Sequence, residues 1–206
     1  MLERIEKWGV ENGYFIYDLL KEVSDETCFC NDLQLIDFDK TKQKIIEEAN
    51  QNTRTSCDGL NLSKSIDFIE FKSFKDVKRK FYNNEDIKRK ERRFLNATKT
   101  SLPDKIASSI WLFQYILGHK NFLATKQEKE LYRNTPKNYF LVVDIDLTQN
   151  SKESLIAKLN GLALPSSLYD TLIIQVSSIL DGIDGDIKIN QAKLIDCKEV
   201  KNILSK

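Results

Sequence analysis

The chain has 206 residues, of which 41% are hydrophobic and 31% charged, with a net charge of +1, three prolines and seven glycines. These proportions suit one globular domain that buries its own core, and they leave no room for a long flexible linker. No run of 18 apolar residues occurs, which excludes a membrane-spanning helix and a membrane partner.

The N-terminal stretch MLERIEKWGVENGYF mixes acids among its bases and has no apolar segment, so it does not read as a secretory signal, and a cytoplasmic location is expected. The cysteines are Cys28, Cys30, Cys57 and Cys197. Cys28 and Cys30 are too close for an ordinary disulfide and lack a second C-x-x-C half, so all four are expected as intracellular thiols. His119 is the single histidine. Zinc and Ser-His-Asp chemistries lean on histidine, so acid and base work falls to carboxylates, lysines or metal-bound water.

Residues 2–23 show a broken apolar stripe at helical spacing, weakened at Gly9 and Gly13, and predict one interrupted helix or two short ones. Residues 27–38 read equally as a short strand or an irregular bridge. Asp39 and Thr41 are candidate caps for a helix over 40–50, with Ile45, Ile46 and Ala49 facing inward. Two strands follow, 53–62 and 65–74, joined by Ser63-Lys64-Ser65. Ile66 to Phe71 is almost continuous in β-branched and aromatic residues, as a strand covered on both faces would be. Alternation puts Ile66, Phe68, Glu70 and Lys72 on one face, a core that opens into a cleft.

Residues 75–98 read as helical and basic, broken at Asn83-Asn84. A separate apolar helix is expected from Pro103, capped by Ser101 and ended by Gly118. A short helix over 126–133, a buried strand over 139–145 and helices over 152–160 and 166–181 come next. Residues 186–196 alternate like an edge strand or hairpin, and 197–204 form a last helix. The expected fold is α/β, a central mixed sheet flanked by helices.

The charge is unevenly spread. Lys72 to Lys99 holds eleven basic and four acidic residues, a net of +7, against −6 for the remainder. Lys75, Lys78, Arg79, Lys80, Lys88, Arg89, Arg92 and Arg93 are candidates to track a phosphate backbone, which makes nucleic acid the expected partner. Asp58 and Glu70 come from neighbouring strands, so their carboxylates can meet and hold Mg²⁺ or Mn²⁺. Lys72 shares Glu70's face and can hold an attacking water and offset developing charge. Asp144 and Asp146 end a strand and are read chiefly as caps of the next element.

Asp58, eleven intervening residues and then Glu70-Phe71-Lys72, set between a preceding helix and a following apolar helix and strand, resembles the PD-(D/E)xK nuclease superfamily with its restriction-endonuclease-like core. Cys57 stands where the pattern has proline. The resemblance covers residues 40–146, with an N-terminal helical addition and a C-terminal extension over 147–206, all within one domain. It implies a Mg²⁺-dependent endonuclease that hydrolyses DNA, in restriction or mobile-element defence. It also implies a third carboxylate from the first helix, Glu47 or Glu48, of which Glu48 lies nearer the inward face. The alternative is a non-catalytic nucleic-acid- or protein-binding subunit on the same scaffold, with 147–206 docking a partner or a second copy.

Overall fold

The computed structural model describes residues 1–30, 32–50, 55–75, 87–148, 168–183 and 189–204; the side chains of 87–95, 97, 100 and 168–172 fall outside that description. The chain runs α1 (Leu2–Glu11), β1 (Tyr17–Leu19), α2 (Leu20–Val23), β2 (Gln34–Asp37), α3 (Phe38–Ala49), β3 (Gly59–Leu62) and β4 (Ile66–Lys72). It continues through α4 (Ile87–Leu117), α5 (Lys126–Asn134), β5 (Lys137–Val143), α6 (Leu168–Asp181), β6 (Gln191–Asp196) and α7 (Cys197–Leu204). None of the described helices is long and apolar enough to cross a membrane.

The six strands form one mixed sheet in sequence order. β1 to β4 pair antiparallel; β4, β5 and β6 pair parallel. A parallel step needs a long crossover, and α4 with α5 supplies the one between β4 and β5. The sheet thus recruits β1, β2 and β6 from outside 40–146. The predicted alternation of β4 is observed. Ile66 and Phe68 join a core built with Ile5, Ile45, Ile106, Phe113 and Val176, from α1, α3, α4 and α6. Ile69 and Phe71 face the other way, into a smaller core with Leu20 of α2 and Val200 of α7. Six of the seven β4 residues are buried, four of them β-branched or aromatic and the other two the carboxylates Asp67 and Glu70.

Several expectations are corrected. The undecided segment 27–38 contains β2. Asp37 rather than Asp39 caps α3, its carboxylate accepting from Lys40 N at 3.0 Å. Thr41 is buried, and its hydroxyl donates to Tyr14 O at 2.6 Å. The two expected helices either side of Ser101 are one, because α4 runs unbroken through Pro103. Pro103 removes one backbone donor, yet the apolar face of Leu102, Ile106, Phe113 and Ile116 packs on the sheet as a unit. The cysteines also differ from expectation: Cys28 and Cys197 form a disulfide, while Cys30 and Cys57 are free. Their sequence separation of 169 hides the pairing from any spacing argument. The expected helix over 152–160 and the residues around Asn83 lie outside the described residues.

Candidate active site

Asp58 occupies the bend just before β3, not the strand itself. Three bonds pin it. Its N–H donates to Ile69 O at 3.0 Å, its carbonyl accepts from Phe38 N at 3.0 Å, and its Oδ2 accepts from Phe71 N at 2.7 Å. The next residue must be small. A Cβ on Gly59 would stand 2.2 Å from Leu35 Cδ2, inside the core beneath the sheet. The approach to Asp58 is tied to α4 as well, because Cys57 N–H donates to the buried Ser109 hydroxyl at 3.0 Å.

Glu70 has no solvent exposure. Its Oε1 receives two ammonium groups, Lys72 Nζ at 2.7 Å and Lys105 Nζ at 2.6 Å. The Lys72 side chain is 37% exposed and that of Lys105 19%, so Lys72 stands nearer solvent. Glu70 Oε2 is buried and has no hydrogen-bond partner among the described residues. Burial, and then the charge of Glu70, push the Asp58 carboxyl up to about 7, against the pull of Phe71 N–H and both lysines. Burial pulls the Lys105 ammonium down, but Glu70 outweighs it and holds the pKa above its ordinary value. The neighbouring Cys57 thiol is fully enclosed, and burial drives it far above the thiol range, so it is no nucleophile.

The structure therefore brings Asp58, Glu70 and Lys72 to one end of the sheet, at the carboxyl end of β4 beside the carboxyl end of β5, and adds Lys105. Lys105 and Ser109 lie four residues apart, on the side of α4 that meets β3 and β4. The signal in sequence was its register, one turn before Ser109 at the border of the apolar stripe.

Glu48 is not brought there. It lies in the last turn of α3, about ten residues and roughly 15 Å of helix from Phe38, whose N–H binds Asp58. Its carboxylate accepts from the Tyr14 hydroxyl and lies 3.7 Å from His119 Nε2, in a separate pocket of about 370 Å³. The α3 carboxylate that reaches the approach to β3 is Asp39, which accepts from Ser56 Oγ at 2.6 Å. Asp144 is a cap, though of the segment after β4 and not of the element that follows β5: its carboxylate accepts from Ser73 Oγ at 2.6 Å, Phe74 N at 2.8 Å and Lys75 N at 3.2 Å. Asp146 pairs with Lys198.

Of the basic candidates, Lys75 is exposed at the start of the helical segment after β4. Lys78, Arg79 and Lys80 lie outside the described residues. Lys88, Arg89, Arg92 and Arg93 belong to the first two turns of α4, and their side chains lie outside the description.

Among the described residues, no group of three or more His, Cys, Asp or Glu can hold a metal ion. Two carboxylates nonetheless fit a magnesium-like cation, which takes one or two protein carboxylates and fills the rest of its shell with water and substrate phosphate. The partnerless Glu70 Oε2 and the reluctance of Asp58 to ionise beside Glu70 are what such a cation relieves. No protein-family model, characterised protein or solved structure matches this chain.

Proposed function

We propose that the protein is a Mg²⁺- or Mn²⁺-dependent nuclease that hydrolyses DNA phosphodiester bonds, on a restriction-endonuclease-like core. One observation carries the reading: a fully buried glutamate at the carboxyl end of β4, bound by two lysines on one oxygen, with its other oxygen unpartnered among the described residues beside a second carboxyl. Asp58 and Glu70 would hold the cation, which when bound polarises the scissile phosphate and acidifies water. Lys72, nearer solvent, directs an N–H toward the attacking water and offsets charge that grows on the phosphate oxygens. Lys105, deeper, holds Glu70 Oε1 in place through its ammonium. Cations from Lys75 onward supply salt-sensitive attraction for the DNA backbone. A role in defence against mobile DNA follows from the superfamily resemblance alone. The same reading puts the protein in the cytoplasm with its substrate, and the Cys28–Cys197 disulfide is the feature that pulls against that location.

The second reading, a non-catalytic binding subunit, is favoured by the very pairing that fills Glu70 Oε1, since two lysines already neutralise the buried charge. Calorimetric titration with Mn²⁺, run beside DNA binding at two salt concentrations, separates the two. Mn²⁺ binding that Glu70→Gln abolishes supports the nuclease. Salt-sensitive DNA binding without any Mn²⁺ binding overturns it in favour of the subunit.

A further inference from the structure

Among the described residues, three buried side-chain oxygens have no hydrogen-bond partner, Glu70 Oε2 and the hydroxyls of Tyr132 and Tyr139, and two of them, on Glu70 and Tyr139, belong to neighbouring strands. β4 and β5 run parallel, with Phe68 opposite Tyr139 and Glu70 opposite Leu141. Residues two apart share a face, so Tyr139 is the diagonal neighbour of Glu70, within reach of long side chains. Tyr139 is fully buried in the larger core with Phe68, Leu141 and Val143. Burial, then the charge of Glu70, hold the phenol well above its ordinary range, so it keeps its proton and offers a donor. The carboxylate offers only acceptors.

A donor and an acceptor buried side by side, each unsatisfied, is strongly unfavourable, and protein interiors resolve such pairs with an ordered water. We propose that Tyr139 is a positioning residue of the carboxylate centre: its hydroxyl donates to one buried water, which donates in turn to Glu70 Oε2. The lone pairs divide cleanly. Oε1 takes both lysines, while Oε2 takes the water and would keep a lone pair for a divalent cation. Tyr139 thereby fixes the plane of Glu70 without touching substrate. This inference deepens the nuclease reading and rests on it for what Glu70 is positioned to hold.

Tyr139→Phe removes the hydroxyl and keeps the ring, so the fold is preserved for the test. Two measurements are made: urea unfolding of the metal-free protein, and Mn²⁺ affinity by calorimetry. The hydroxyl that holds a bridging water predicts an unfolding constant raised about tenfold and a Mn²⁺ Kd raised about tenfold, the range found for residues behind a metal ligand. An unfolding constant that is unchanged or lowered shows the hydroxyl to be an isolated buried group and overturns the proposal. A raised unfolding constant with unchanged Mn²⁺ affinity overturns the positioning role. If wild type binds no Mn²⁺ at all, the nuclease reading fails, and the unfolding arm alone decides whether Tyr139 and Glu70 are linked.

Discussion

Asp58 sits where its own charge is unwelcome. Its folded pKa of about 7 lies above the ordinary aspartate value near 4, because burial and Glu70 both oppose ionisation. The native state therefore holds a proton that the unfolded chain has released. Its contribution to stability is fully present below about pH 4 and is lost as pH rises to about 7. Metal-free thermal melts across that window should show Asp58→Asn steadily gaining on wild type as pH rises, and a constant difference would contradict the assignment. Lys105 tests the other side of the cluster. Lys105→Met leaves the buried Glu70 with Lys72 alone, and urea unfolding should show a loss of about 2 kcal/mol, less than for a buried charge stripped of every partner. A loss under about 0.5 kcal/mol would mean the pair is effectively solvated. Glu70 and Lys72 were legible because strand alternation has a strict period of two, and the apolar run of β4 sets it; Asp58, expected on the strand, lies in the bend just before β3. Lys105 was not, because a lysine at the edge of a helical stripe reads equally as a solvated residue. Glu48 was misplaced because helical periodicity gives a face and leaves open which end of the helix meets the site.

Among the elements, α4 departs furthest from the pattern in its sequence. Pro103 with Ser101 before it reads as a helix start, since proline suits a first turn. Tertiary packing overrides that local signal: the same helix face continues on both sides, from Thr98 and Leu102 to Ile106 and Phe113, all buried. The Ser101 hydroxyl reaches back to Thr98 O at 3.4 Å. A proline inside a helix is about 3 kcal/mol worse than alanine, part of which is regained through a stiffer unfolded chain. Pro103→Ala should therefore raise stability by about 1–2 kcal/mol in urea unfolding; a destabilised variant would show that residue 103 starts a second helix after all. The short helix α5 was legible from its own chemistry. Thr125 and Glu128 form a reciprocal capping box, which local sequence encodes without help from the core. β1 was not recoverable and β2 was one of two alternatives over 27–38, because three- and four-residue strands give a short window for a period to emerge.

At the scale of the whole molecule, the α/β class was legible and the extent of the sheet was not. Strands from both ends of the chain complete it, and non-local pairing of that kind leaves no mark on composition. The disulfide is the other non-local feature. It ties the segment before β2 to the start of α7, the two covers of the smaller core. Closing so long a loop should contribute about 2–4 kcal/mol. Reduction, or Cys28→Ser, should lower the urea midpoint accordingly, and intact-mass analysis under alkylation should find two free thiols rather than four; four alkylated cysteines in unreduced protein would contradict the pairing. The placement of the site follows from the sheet as a whole. β4 is the strand at which antiparallel pairing gives way to parallel, and the carboxyl ends of β4 and β5 lie together there. Crevices outside the carboxyl ends of parallel strands are where open α/β sheets bind ligands. Purified protein incubated with supercoiled plasmid and with single-stranded DNA, with and without Mg²⁺ or Mn²⁺, tests that placement most directly when run beside Asp58→Ala and Lys72→Ala. The centre described above predicts metal-dependent cleavage that falls at least about a hundredfold in both variants; variants that cut as fast as wild type, or a wild type that cuts neither substrate with either metal, would contradict it.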